Sequence, residues 1–166
     1  MTESNSRIAV YTGSFDPITL GHLNVIERSS RLVDKLVVGV GVNIEKPSLF
    51  TPEERVKLVQ RATESLTNVE VREFQGLAVT FVRECGAEVI IRGVRSLTDM
   101  ENEFTMTLAN MQLDPGIETV FLMSDAEFSH VSSSLIKQIT PLADDEKLAR
   151  FVPRLVIPDL RRKIAK

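Results

Sequence analysis

The sequence predicts an α/β fold, a parallel sheet with helices on both faces, and three observations carry that expectation. Five short β-like runs recur along the chain, at residues 8–11, 36–42, 69–74, 88–91 and 119–123. Segments of helical spacing separate them, and strands that alternate with helices imply βαβ units. The first strand also runs directly into a glycine-bracketed turn, residues 13–22, Gly-Ser-Phe-Asp-Pro-Ile-Thr-Leu-Gly-His, ahead of a helical pattern. The layout is Rossmann-like, with five strands.

Each element has its own local reason. The first strand is the apolar core of a β-rich stretch over 7–12, and Leu23, Val25 and Ile26 open the helix after the turn. After the second strand, Thr51-Pro52-Glu53-Glu54 combines a threonine N-cap, proline at the first helical position and glutamate at the capping-box position. Val56, Val59, Ala62 and Leu66 supply that helix's core stripe. From Asp99 onward, Met100, Phe104, Leu108 and Met111 recur at helical spacing until Pro115-Gly116 breaks the pattern. That stripe reads as packing, either in the core or against another subunit. The charged stretch over 144–166 is expected to be helical in pieces, with Pro158 starting the last helix or kinking a longer one. No repeat, low-complexity tract or linker interrupts the 166 residues, so 1–166 reads as a single domain.

Composition narrows the function classes. Hydrophobic residues are 43% and charged residues 26% of the chain, and no apolar run approaches a membrane span. The polar start, residues 1–6, lacks the apolar core of a signal peptide, which predicts a cytoplasmic protein with no membrane partner. A net charge of −3 gives no global attraction to nucleic acid, so any anion must be held locally. The one cysteine, Cys85, excludes an internal disulfide and a thiolate metal cluster and reads as a buried thiol.

Three constellations offer that local hold. Gly13 permits a tight exit from the first strand, and Gly21 removes a side chain where a phosphate would approach the helix, with His22 in the first turn beside it. A lone helical histidine is more often a hydrogen-bonded core residue; the flanking glycines and Asp-Pro turn favour the functional reading. Arg92-Gly93-Val94-Arg95 places two arginines about a glycine at the end of the fourth strand, as an anion clamp rather than a pair of solvated side chains. Val131-Ser132-Ser133-Ser134 opens a helix after the fifth strand; N-capping explains one serine and leaves two for a polyphosphate. Lys46 is a candidate phosphate ligand on the loop after the second strand. Asp99 and Glu103 are open to a ribose hydroxyl, a cation or solvent, and spacing does not decide among these.

Together these residues resemble the nucleotidylyltransferase superfamily, whose Gly-x-Phe-x-Pro-x-x-x-Gly-His hallmark is matched at every fixed position of residues 13–22. Within it, Phe50-Thr51 before Glu53-Glu54-Arg55, residues 91–95, 99–103 and 131–134 are similar in order and spacing to bacterial phosphopantetheine adenylyltransferases. The resemblance implies transfer of the adenylyl group of ATP to 4′-phosphopantetheine. It implies His22 as transition-state stabiliser, with Lys46 and Arg92 at the acceptor phosphate and the reacting centre. Gly13, Ser14, Phe15, Gly93, Val94, Arg95, Glu103, Phe128, Ser129, His130, Val131, Ser132, Ser133 and Ser134 would join His22 in binding ATP. Ser14, Leu77 and Ala78 would contact phosphopantetheine. It further implies Mg2+ carried on the ATP phosphates, no protein metal site, and a homo-oligomer, a hexamer. Asn102 and His130 stand where the family commonly has aromatic residues. Relatives acting on nicotinamide mononucleotide tend to have an arginine after their serine run, where this chain has Leu135-Ile136-Lys137, and the cytidylyltransferase signature Arg-Thr-x-Gly-Ile-Ser-Thr is absent. A binding module that has lost catalysis is the rival from another class, and retention of His22, Lys46, Arg92 and the serine run argues against it.

Overall fold

The computed structural model describes residues 6–43, 45 and 47–164. In chain order its elements are β1 (Ile8–Gly13), α1 (Leu20–Ser30), β2 (Lys35–Val42), α2 (Pro52–Ala62), β3 (Val69–Gln75) and α3 (Ala78–Glu84). There follow β4 (Val89–Val94), α4 (Leu97–Leu113), β5 (Glu118–Met123), α5 (Ser133–Ile139), α6 (Asp145–Leu148) and α7 (Ile157–Ile164).

All four strand pairings are parallel, in the order β3-β2-β1-β4-β5. Central strands of such a sheet are buried on both faces, so their side chains must be apolar on both. Ala9 and Tyr11 of β1 enter one apolar cluster with Leu36, Val38 and Val40 of β2 and Ile91 of β4. Their neighbours Val10, Val37 and Ile90 enter the other, as the two-residue period of a strand requires. The first cluster is roofed by Val25 and Ile26 of α1, Leu58 and Val59 of α2, Ile136 of α5 and Leu160 of α7. The second is closed by Val79, Phe81 and Val82 of α3. The Rossmann-like sheet with helices on both faces is therefore the fold.

The expected strands fall on the observed ones, and the fourth differs most. It continues through Arg92, Gly93 and Val94, which pair with Phe121, Leu122 and Met123 of β5; ladder pairing outweighs the weak strand propensity of arginine and glycine there. At α2, Thr51 caps the helix and its hydroxyl accepts from the Glu54 N–H, while Glu54 accepts from the Thr51 N–H. Val59 is fully buried and Val56, Ala62 and Leu66 pack partly against the core. Pro158 lies in the first turn of α7, so it starts that helix rather than kinking a longer one. Cys85 is only partly buried, at the C-terminal cap of α3.

The helix α4 is the exception to core packing. None of its residues is buried, and Phe104, Met106, Leu108, Met111 and Leu113 are exposed. The stripe read from the sequence is present, yet it faces away from this chain's own core. Among the described residues no helix is long and apolar enough to cross a membrane.

Candidate active site

Because β1 pairs with β2 on one side and β4 on the other, the connections leaving β1 and β4 diverge. Ligands of open α/β sheets bind in the crevice this opens at the carboxyl ends of the strands. A cavity of about 320 Å³ lies there, walled by Thr12, Gly13 and Ser14 from the first strand and turn, His22 from α1, Arg92 from β4, and Ser132 to Ser134 at the start of α5.

His22 owes its position to helix capping. Thr19 is the N-cap of α1, and its hydroxyl accepts from the His22 N–H at 3.2 Å. In return the Thr19 backbone N–H donates to Nδ1 of His22 at 3.1 Å, with the Thr19 hydroxyl also 3.1 Å from that nitrogen. This is a capping box in which imidazole takes the place of the usual glutamate. A ring nitrogen that accepts carries no proton, so in the neutral ring the proton sits on Nε2. The ring packs edge-on against Phe15 at 5.0 Å between centroids. Burial, with the charges of Arg95 and Arg92 adding to it, lowers the His22 pKa to about 4. At neutral pH His22 is thus an uncharged N–H donor lining the cavity.

The arginines are held by α4. Arg92 makes a bidentate pair with Glu103, Nε to Oε2 at 2.6 Å and Nη2 to Oε1 at 2.7 Å. Its Nη1 donates to the carbonyl and the hydroxyl of Thr12 at 2.7 and 2.8 Å. Burial works against the Arg92 charge, but the hydrogen bonds and charge of Glu103 prevail and raise its pKa. Arg95 donates from Nε to Asp99 at 2.8 Å and from Nη1 to the Val131 carbonyl. Nearby, burial, opposed by Arg92 and reinforced by Glu103, pushes the Tyr11 phenol up to about 12, so it stays protonated.

The glycines prove more specific than the sequence suggested. A Cβ at Gly93 would lie 2.9 Å from Val25 Cγ2, so this glycine lets α1 pack close to β4. At Gly21 a Cβ would meet only ordinary contacts, the nearest 3.6 Å away. Nothing in the protein demands its absence, which fits a position kept open for a ligand.

Of the residues singled out from the sequence, Gly13, Ser14, His22, Arg92, Gly93, Arg95, Glu103, Val131, Ser132, Ser133 and Ser134 line one cavity. Two of the serine hydroxyls have structural partners: Ser132 caps α5 by accepting from the Leu135 N–H, and Ser133 donates to the Pro17 carbonyl. Phe15 and Val94 are buried and lie outside the lining. Phe128, Ser129 and His130 lie outside the lining, with the Phe128 Cβ beside α1, 3.7 Å from where a Gly21 Cβ would be. His130 turns its ring to the edge of Phe151. Leu77 and Ala78, the N-cap and first residue of α3, also lie outside the lining. Lys46 falls outside the described residues.

Sequence reasoning missed Tyr11, Thr12, Thr19, Val25 and Ser124, all of which line the cavity. Thr19 had a findable signal, a threonine three residues before a residue able to complete a capping box. Thr12 had none, because its partner Arg92 is 80 positions away. A further unpredicted tie comes from Arg55 on α2, buried, whose Nη1 donates to the Ser14 and Gly41 carbonyls at 2.8 and 2.9 Å. Among the described residues no group of three or more His, Cys, Asp or Glu side chains is placed to hold a metal ion.

Known proteins resemble this chain in sequence and in fold. Residues 10–139 match the family model described as cytidylyltransferase-like. A phosphopantetheine adenylyltransferase of Rhodopirellula baltica is 63% identical over 159 residues, covering 95% of this chain and 89% of the relative. One of Clostridium botulinum is 49% identical over 158 residues, covering 95% of each. Among solved structures, a putative nicotinate-nucleotide adenylyltransferase of Vibrio parahaemolyticus shares the fold at a TM-score of 0.67 and 16% identity, over 95% of this chain and 92% of its own. A Plasmodium falciparum nicotinic acid mononucleotide adenylyltransferase does so at 0.69 and 14%, over 95% of both.

Proposed function

This chain belongs to the cytidylyltransferase-like family and, within it, to the phosphopantetheine adenylyltransferases, and from that premise we infer that it transfers the adenylyl group of ATP to 4′-phosphopantetheine. The products are dephospho-coenzyme A and pyrophosphate, and the step belongs to coenzyme A biosynthesis. The attacking oxygen is already anionic, so no protein nucleophile is needed and catalysis rests on alignment and on stabilising charge in an in-line transfer. The observation that supports this chemistry best is His22 held as a neutral Nε2–H donor on the wall of a cavity that also contains Arg92 and Arg95.

In this reading His22 donates to the α-phosphate as negative charge grows on its oxygens. Arg92, with Lys46, holds the acceptor phosphate, and Ser14 bonds the phosphates from the turn. Arg95 and Ser132 to Ser134 hold the β- and γ-phosphates and then the leaving pyrophosphate. Glu103 contacts the nucleotide while keeping Arg92 aimed, and Phe128, Ser129 and His130 would form the loop over the adenine. Leu77 and Ala78 would contact the pantetheine arm. Among the described residues the carboxylates lining the cavity are Asp99 and Glu103, and both are already paired with arginines. Mg2+ would therefore be held through phosphate oxygens and water, where it neutralises the triphosphate.

The test is ATP-dependent pyrophosphate release with phosphopantetheine, nicotinamide mononucleotide and glycerol 3-phosphate offered in turn. Turnover is expected with the first; turnover confined to either of the others overturns the assignment. The chain is read as a single nucleotidylyltransferase domain working in the cytoplasm, where its ATP is. The homo-oligomer, a hexamer, is supported by the apolar side chains that α4 leaves uncovered. Sedimentation velocity is expected to give a hexamer that Phe104→Glu disrupts, and a monomeric wild type would remove this part of the proposal.

A further inference from the structure

Asp16 and Lys137 have no part in the mechanism above, yet they join every segment that mechanism uses on one side of the cavity. Asp16 lies in the turn between β1 and α1, its side chain only 8% exposed, and it does not line the cavity. Its Oδ1 accepts the Phe50 N–H at 2.9 Å, and its Oδ2 accepts the Leu49 N–H at 2.9 Å and the Lys137 ammonium at 2.6 Å. One carboxylate therefore ties together the turn that carries Ser14 and His22, the chain just before the Thr51 cap of α2, and the helix α5. Ser133, four residues before Lys137 and so on the same helix face, donates to the carbonyl of Pro17 at 2.9 Å. The helix α5 is thus fastened to two successive residues of the turn, by Lys137 in its last turn to Asp16 and by Ser133 at its start to Pro17.

We propose that Asp16 and Lys137 are positioning residues for adenylyl transfer, their ion pair fixing α5 and its serines at one spacing from the turn that carries His22. The proposal rests on the adenylyl-transfer reading above. The pair acts through alignment: His22 and the serines contact opposite ends of the same bond-breaking event, so a relative shift of the two segments misaligns attack and departure together. A displacement of about 1 Å caused by a remote change can cost about 10²-fold in rate. Because the Ser133–Pro17 hydrogen bond remains when the ion pair is lost, a smaller effect is expected here. Lys137 is 37% exposed, and Asp16 keeps two backbone donors without it, so Lys137→Met preserves the packed stem and the fold.

The experiment measures the single-turnover rate per folded molecule, with ATP binding and thermal midpoint read in parallel. Lys137→Met is expected to slow transfer about tenfold with ATP affinity changed less than about twofold. Lys137→Arg, which restores a charged donor to Asp16, should recover most of the rate. Asp16→Asn added to Lys137→Met should cost less than in the wild-type background, since both changes break one interaction. An unchanged rate per folded molecule in Lys137→Met, whatever its midpoint, overturns the proposal, and so do fully additive effects. Wild-type protein inactive on phosphopantetheine would defeat the functional assignment instead, and the same rate comparison on whichever acceptor it does use would still decide the role of Lys137.

Discussion

His22→Ala is expected to lower kcat by about two to three orders of magnitude while leaving ATP binding nearly unchanged, the pattern of losing one transition-state donor. The expectation follows from how the ring is held. Thr19 donates to Nδ1, so the neutral ring presents its N–H proton from Nε2, and burial, with the neighbouring arginines, keeps it uncharged. A neutral donor adds little to the ground-state binding of a polyphosphate already facing two guanidinium groups, and it gains strength as charge accumulates on the reacting phosphate. A ring titration followed by NMR should find a midpoint at about 4. Because this folded-state pKa lies below the 6.5 of an unfolded chain, the unfolded state takes up the proton first. His22 therefore lowers stability as pH falls from about 6.5 toward 4, and His22→Gln should flatten that part of the stability profile. A turnover number unchanged in His22→Ala where chemistry limits, or a midpoint near 6.5, would contradict the assignment.

Arg92→Ala should damage both activity and fold. It removes the guanidinium proposed at the reacting centre and leaves Glu103 and Thr12 without their donor. Stripping one partner from a fully buried ion pair costs about 3–5 kcal/mol. With 27% of Arg92 and 18% of Glu103 still exposed, a loss of about 2–3 kcal/mol is expected. The two consequences separate in the double variant Arg92→Met with Glu103→Leu. An apolar pair of similar volume relieves the orphaned carboxylate, so the melting midpoint should return toward wild type while turnover stays at the level of Arg92→Ala. Recovery of turnover along with stability would mean that Arg92 is structural only.

The site was legible to the extent that its chemistry is local. Residues 13–22 are contiguous, and a strand, a glycine turn and a helix start are enough to mark a phosphate site. The arginine pair and the serine run were each readable at a strand end or a helix start. Their meeting in one cavity was not, because the sheet order that brings β4 beside β1 is a long-range fact. The strand partner of Arg92 was hidden for the same reason, since nothing near Thr12 announces it, and Glu103 was left open among three roles until the bidentate pair fixed its orientation. Arg55 is similar, since burying a guanidinium against the Ser14 and Gly41 carbonyls requires α2 to lie across the ends of β1 and β2.

The stripe on α4 marks the opposite limit. Periodicity correctly identified the helix and its apolar residues, but periodicity describes which side chains share a face and not what covers that face. By itself the sequence determined the alternation of strands and helices, the capped start of α2, and the turn that brings His22 to a helix N-terminus, because each depends on interactions within a few residues. Only the tertiary structure decided that His22 stays uncharged, that Arg92 bridges Glu103 of α4 and Thr12 of β1, and that Asp16 binds three segments into one wall. Those features depend on burial and on contacts between distant parts of the chain, which exist only once the sheet has assembled.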